Sequence, residues 1–359
     1  MKMGKKLIAV TAVLTLAVGM VGCSKSSSGG SSSGDTIKIG ANLEMTGQVA
    51  AFGQSQLSGI KLAADEINAA GGVLGKKLEI ISSDNASKKE ESTRVATKLI
   101  TEDKVDVLLG ASISGDTFAA LEVANNKKIP MLTPSATNDS ITFDAKKNKL
   151  NDWVFRACFT DSFQGKVMAD FATKKLNAKK AVIYVESSSD YSKGLSKAFR
   201  ETFEKNGGTI AGEESYQTKD TDFKAVLTRI KTLNPEVIWV PGYYDEVGKI
   251  VKQAREMGIT APMMGGDGWD APQLVEIAGK DALNNTFISN HYSSEDPDPK
   301  VKKFVDAFKA KNGSVPDAMA VLGYDATYMM ADAIKRAGAV DKEKIKAALA
   351  DTKNFEGVT

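Results

Sequence analysis

The chain has 359 residues, a formal net charge of +2 and two cysteines. Its 47 Lys and Arg are interleaved with 45 Asp and Glu, which argues against a nucleic-acid surface, and two thiols are too few for a disulfide framework. The length allows two domains of ordinary size, each with its own core.

In chain order, residues 1–22 read as a secretory signal. Lys2, Lys5 and Lys6 precede an apolar run over 7–21 that is short for a membrane span. The run ends in Gly22-Cys23, similar to a bacterial lipobox, in which the Cys becomes the lipidated N-terminus. "SKSSSGGSSSG" follows at once, a flexible tether of the kind a surface-anchored domain needs. The expectation is a signal peptide over 1–22, a lipidated Cys23 with its tether over 23–35, and an extracytoplasmic domain held at the membrane by lipid alone. A plain signal peptide with an incidental Cys is the alternative. With Cys23 lipidated, Cys158 in "WVFRACFTD" has no disulfide partner and reads as a small buried apolar residue.

From Thr36 onward, short apolar runs alternate with stretches of helical period, the pattern of βαβ units and a mainly parallel sheet. The runs are "IKIGANL" (37–43), "LEIISSD" (78–84), "VDVLLG" (105–110) and "IPMLT" (129–133), then "AVIYVES" (181–187), "TIAGEESY" (209–216), "VIWVPG" (237–242), "APMMGG" (261–266) and "TFISN" (286–290). Helices are predicted between them, for example over 55–70, where Leu57, Ile60, Leu62, Ala64 and Ile67 form an apolar stripe closed by Gly71-Gly72, and over 223–233. The runs fall into two sets of about four, one per lobe. Between the sets, Asp161 reads as the N-cap of a helix over "SFQGKVMADFATKKL", marking the first crossing between lobes. A second crossing is expected after "FISNHYSSEDPDP" (287–299). The lobes are thus predicted as 36–157 plus 290–338 and as 158–289 plus 339–359. The final strands that such a lobe uses do not follow, so a truncated chain and a missing third crossing are expected.

The stretch "IPMLTPSATND" (129–139) begins like a buried strand and ends in small hydroxyl residues. These are either turn chemistry or hydrogen-bonding groups at the carboxyl end of a parallel strand, where open α/β sheets bind ligands. In "GASISGDT" (110–117) another strand runs into a helix beginning near Gly115, whose first N–H groups and dipole suit a carboxylate. Ser114 there reads as both cap and donor.

Together the lipobox, "IKIGANLEMTGQVAAFGQSQLSGIKLAADEINAAGGVLGKKLEIISSDNAS", "GASISGDT", "TPSATND", "RACFTDSFQG" and "YYDEVGKIVKQAREMGITAPMMGGDGW" resemble the branched-chain amino acid (Leu/Ile/Val-type) substrate-binding proteins of ABC transporters. The resemblance runs over nearly all of 36–340. It implies the type I periplasmic binding protein fold, two doubly wound α/β, Rossmann-like lobes joined by a hinge and closing on a ligand between them. It implies that the backbone carbonyl of Ser135 meets the ligand's ammonium and that the hydroxyl and N–H of Thr137, with Ala136 beside it, meet both charged groups. Asp267 falls where the family carries an acid that pairs with the ammonium, with Asp270 as a nearby rival and the better cap for "APQLVEIAG". Tyr191 and Tyr243 match aromatic walls of the second lobe, and Tyr244 is adjacent to the second of these. Phe52 stands where Tyr is common, and Trp269 adds an aromatic ceiling. Glu44 replaces a Pro or Ser; it points to solvent, to a hinge partner or to a polar end of the ligand. The implied hinge lies near Cys158 and Asn290.

No enzyme is expected. The single His291 sits in an acidic loop, no second thiol accompanies Cys158, and no Gly-x-Ser-x-Gly, HExxH or phosphate loop occurs. No metal or cofactor is expected either. The implied partners are a free amino acid and an ABC permease with its ATPase, with the protein as a monomer. A sensor of the same fold feeding a signalling receptor is the rival function.

Overall fold

The computed structural model describes residues 36–359; Cys23, the signal and the tether lie outside the described residues. The first sheet is built from β1 (Thr36–Leu43), β2 (Lys77–Asp84), β3 (Val107–Gly110), β4 (Met131–Thr133) and, after a two-residue hairpin of β5 (Phe143–Asp144) and β6 (Lys149–Leu150), β7 (Val154–Arg156). Its order is β2-β1-β3-β4-β7, all parallel. Helices α1 (Ala50–Ala69), α2 (Lys89–Thr101) and α3 (Ser114–Lys127) make the crossovers. The second sheet comprises β8 (Lys180–Glu186), β9 (Thr209–Tyr216), β10 (Val237–Trp239), β11 (Met263–Gly265) and β12 (Thr286–Ile288), in the parallel order β12-β11-β10-β8-β9. Its helices are α4 (Asp161–Lys174), α5 (Asp190–Lys205), α6 (Lys224–Thr232), α7 (Tyr244–Glu256) and α8 (Pro272–Ala278).

Counted within its own lobe, each sheet runs 2-1-3-4-5, so each has a topological switch point, at β1/β3 and at β8/β10. The inner strands are mostly apolar because helices cover both faces; β3, β4, β10 and β11 are buried at every residue. This is the doubly wound α/β architecture in duplicate.

After β12 the chain returns to the first lobe as α9 (Pro299–Asn312), α10 (Ala318–Ala337) and α11 (Lys342–Ala350). Val301, Phe304 and Phe308 of α9 pack with Leu62 and Val321. Helices α1 and α10 cross so closely that a Cβ on Gly59 would stand 1.9 Å from the Ala320 carbonyl oxygen. Residues 339–359 were expected on the second lobe. Instead Ile345 and Leu349 of α11 are buried with Ile37, Leu109 and Met330 of the first. The turn from α10 spans only residues 338–341, too short to carry an apolar stripe to another sheet. The tail then returns the N–H groups of Val358 and Thr359 to the Asp325 carboxylate, at 2.9 to 3.0 Å.

Two predicted caps differ. Thr160, not Asp161, caps α4 by accepting from the Phe163 N–H at 3.2 Å; Asp161 is the first helical residue and is buried. Helix α3 starts at Ser114 itself and has no side-chain cap. Among the described residues, no helix is long and apolar enough to cross a membrane, and no group of His, Cys, Asp and Glu could hold a metal ion.

Candidate ligand-binding site

The carboxyl ends of the two sheets face each other across a small cavity lined by Phe52, Ser112, Ile113, Ser114, Ser135, Thr137, Tyr191, Tyr243, Asp267, Gly268 and Met319. Apart from Phe52 on α1 and Met319 on α10, these residues follow strands β3, β4, β8, β10 and β11, which is where an open α/β sheet leaves its loops free to bind. Gly110 ends β3 at φ +109°, and a Cβ there would lie 2.0 Å from the Asn42 carbonyl oxygen. Only glycine lets the loop to Ser112 and Ser114 turn there.

On the first lobe, hydroxyls divide between scaffold and cavity. Thr133 donates to the Ala111 carbonyl and Ser135 to the Ser112 carbonyl, each at 2.7 Å. Gln56 ties the two loops together: its amide donates to Ser135 Oγ, and its Oε1 accepts from Ser112 Oγ at 3.0 Å. Ser114 Oγ accepts the Asn138 N–H at 3.2 Å, which leaves its own proton to donate into the cavity. Thr137 Oγ1 is buried without a well-formed hydrogen bond. Close to it, burial pushes the Asp161 carboxyl well above its ordinary value, with the Thr137 hydroxyl opposing. The "TPSATND" hydroxyls therefore serve both purposes: Thr133 and Ser135 fix the turn, while Thr137 faces the cavity.

Glu44 lies beneath this loop, fully buried. Its carboxylate accepts the Ser112 N–H at 3.0 Å and the Ile113 N–H at 3.3 Å, so it occupies the N–H groups just before α3 and reaches neither solvent nor hinge. Burial raises its pKa against the Ser112 hydrogen bonds. Its neighbour Asp116 is pushed up to about 9 by burial and then by the charge of Glu44. The two carboxyls thus keep a proton at neutral pH, and the floor under the helix terminus bears less negative charge than two ionised acids would give.

On the second lobe, Asp267 is buried and held by three side chains. Tyr191 OH lies 2.8 Å and Gln164 Nε2 3.1 Å from Oδ1, and His291 Nε2 lies 3.0 Å from Oδ2. Tyr191 also accepts the Gly268 N–H at 2.9 Å. Tyr243 stacks on Tyr191 with centroids 5.0 Å apart, and Phe52 meets Tyr243 edge-on at 5.9 Å.

Of the sequence-predicted residues, Phe52, Ser114, Ser135, Thr137, Tyr191, Tyr243 and Asp267 line one cavity. Ala136 does not; it is buried in the first-lobe core, and its carbonyl accepts from Cys158 Sγ at 3.5 Å. Trp269 does not either. Its indole N–H donates to the Val240 carbonyl at 2.9 Å, which turns the ring into the second-lobe core and away from a ceiling position. Asp270 does not cap α8, which has no side-chain cap; it reaches across the lobes to accept the Ala318 N–H at 2.8 Å. Tyr244 likewise crosses, donating to the Gln48 carbonyl at 3.1 Å. His291, read from sequence as a loop residue, is the largest difference. Gln56 and Gln164 were missed because an isolated Gln on an amphipathic helix has no local signature; only the fold brings their amides to the loops. Cys158, read as buried, is only half-buried, although desolvation raises its thiol pKa.

The lobes touch directly. Gln48 Nε2 donates to both oxygens of Glu246 at 2.7 and 2.8 Å, Lys89 pairs with Asp190 at 2.9 Å, and Asn138 donates to the Asp190 carbonyl at 2.9 Å. Val49, Phe52 and Met319 of the first lobe are buried in the core cluster of the second. The structure is a closed form.

Two like α/β lobes, closed over a small polar cavity with hydroxyl donors on one side and a carboxylate on the other, define a bilobal solute-binding protein. A profile of the periplasmic binding protein family matches residues 36–359, and the chain belongs to that family. The branched-chain amino acid transporter substrate-binding protein LivJ of Streptococcus pneumoniae, solved with isoleucine, is 44% identical with a TM-score of 0.83, covering 90% of each chain. The leucine-binding LivK of Thermotoga maritima is 38% identical with a TM-score of 0.84, covering 90% of this chain and 89% of the other. The leucine-, isoleucine-, valine-, threonine- and alanine-binding protein of Pseudomonas aeruginosa is 32% identical over 88% of this chain and 82% of its own.

Proposed function

We propose that this protein captures a free amino acid of the branched-chain class between its lobes outside the cytoplasm and delivers it to an ABC permease driven by an ATPase, held at the membrane through a lipid on Cys23. The observation that carries the reading is the pairing of Asp267 on one lobe with the Ser114 and Thr137 hydroxyls on the other. An α-amino acid presents an ammonium and a carboxylate on one carbon. A site for it needs an acceptor and donors placed on opposite sides of a small space, with charge-assisted bonds to both.

In this reading the ligand carboxylate sits against Ser114, Thr137 and the amino terminus of α3, where dipole and N–H groups favour an anion. The ammonium meets Asp267 and the Ser135 carbonyl. Phe52, Ile113, Tyr243 and Met319 supply the apolar walls for an aliphatic side chain. The acceptor and the donors lie on opposite sides of one small cavity, which suits charged groups carried on a single carbon and not the separated termini of a peptide. Isoleucine in the Streptococcus pneumoniae relative supports the choice of class.

Calorimetric titration of protein stripped of ligand with the free amino acids tests this. Isoleucine, leucine or valine should bind most tightly and a dipeptide not at all. Binding of a charged amino acid or of a peptide in preference to these would overturn the assignment.

A further inference from the structure

The reading above leaves His291 without a role, although its side chain is only 4% exposed and lies against the carboxylate that meets the ammonium. An ionised carboxylate only accepts, so His291 Nε2, 3.0 Å from Asp267 Oδ2, is the donating nitrogen and carries the proton. A carboxylate offers about four acceptor positions. Two on Oδ1 are filled by Tyr191 and Gln164 and one on Oδ2 by His291. One position, on Oδ2, is left for the ligand.

His291 is itself held in place. Its ring stacks on Phe159 with centroids 3.7 Å apart and 12° between planes. Phe159 lies between β7 of the first sheet and α4, and His291 between β12 of the second sheet and α9. The stack therefore joins the two segments by which the chain passes between lobes. Gln164 is tied to the same region, since its Oε1 accepts from Ser289 Oγ at 2.8 Å.

Resting on the proposed amino acid function, we propose that His291 is a positioning residue for the ligand's ammonium: by occupying one acceptor site of Asp267 Oδ2, it fixes which lone pair faces the ligand. The recognised chemistry is a primary α-ammonium, and the residue acts through Asp267 rather than by touching the ligand.

Isoleucine is the probe, and its binding to the wild type is established first; a wild type that binds no amino acid overturns the function, not the role of His291. His291→Phe keeps an aromatic ring for Phe159 and removes the donor, whereas His291→Gln retains an N–H near the position of Nε2. Loss of a hydrogen bond to a charged group predicts isoleucine binding about 10- to 100-fold weaker in His291→Phe, with most of the loss restored in His291→Gln. The melting temperatures of the ligand-free variants should match each other. His291→Phe binding as tightly as wild type, or His291→Gln losing as much as His291→Phe, overturns the proposal. Because the chain has one histidine, the wild type gives an independent test that needs no variant. In nitrogen-15 NMR the imidazole should be protonated at Nε2, and its resonances should shift on saturation with isoleucine. A proton on Nδ1 alone, or resonances unmoved at saturation, overturns it.

Discussion

The three donors on Asp267 determine what its removal does. Asp267→Ala leaves Tyr191, Gln164 and His291 facing an unfilled position and removes the counter-charge proposed for the ammonium, so isoleucine binding should weaken by about 2–5 kcal/mol in calorimetry. Asp270 is three residues away and chemically identical, and from sequence it was the rival for this role. Its contact with the Ala318 N–H spans the lobes, so Asp270→Ala gives up one closed-form hydrogen bond, about 0.5–1.5 kcal/mol. Equal losses in the two variants would contradict the assignment. Asp116 makes a separate prediction. Its folded pKa of about 9 exceeds the ordinary 3.8, so its contribution to stability is full below the ordinary value and is lost as pH rises toward 9, by at most about 1.4 kcal/mol per unit. Asp116→Asn removes this loss. Urea unfolding should show the variant gaining on wild type from pH 5 to 9, and a gap independent of pH would contradict the shared-proton account. Nothing in the sequence around Glu44 or Asp116 announces this pair, because 72 residues separate partners that only the β1/β3 pairing brings together.

At the scale of elements, the α1 and α10 contact is the tightest helix crossing to depend on a missing side chain. Gly59→Ala would drive a methyl into the Ala320 carbonyl, and overpacking of this kind should destabilise the fold by about 1–3 kcal/mol, read as a lower melting temperature without ligand. An unchanged melting temperature would mean that the helices separate more easily than their packing suggests. The strands themselves were legible, since apolar runs bounded by turn residues mark them whatever their partners. Helix starts were less so. Helix α1 begins at Ala50 rather than at 55, and α4 is capped by Thr160 rather than Asp161, because a cap is chosen by which residue keeps an extended backbone, a matter of how the preceding loop arrives. The 3.6-residue stripe of α11 shows that one face is buried but not against which lobe; the short turn from α10 settles that.

For the whole molecule, the repeated 2-1-3-4-5 strand order sets two switch points face to face, and this places residues from 52 to 319 around one cavity. Ser114 was readable from the strand-to-helix turn it sits in, whereas Thr137, Tyr191, Tyr243 and Asp267 were implied by the family resemblance; all five line one cavity. That Trp269 would turn inward and His291 would join them was not readable, since both outcomes depend on packing between segments far apart in the chain. The contacts that close the structure, Gln48 with Glu246, Lys89 with Asp190 and Phe52 with Tyr243, link the lobes and have no counterpart within either one. A ligand shifts the equilibrium toward this form only through contacts it makes there and not in the open form. In the proposed binding mode Asp267 supplies such a contact, since it comes from the lobe opposite to Ser114 and Thr137. The most direct test of the account is small-angle X-ray scattering of protein stripped of ligand, with and without saturating isoleucine. The account predicts a smaller radius of gyration with ligand in the wild type and little change in Asp267→Ala; an unchanged radius in stripped wild type under calorimetrically confirmed saturation would contradict it.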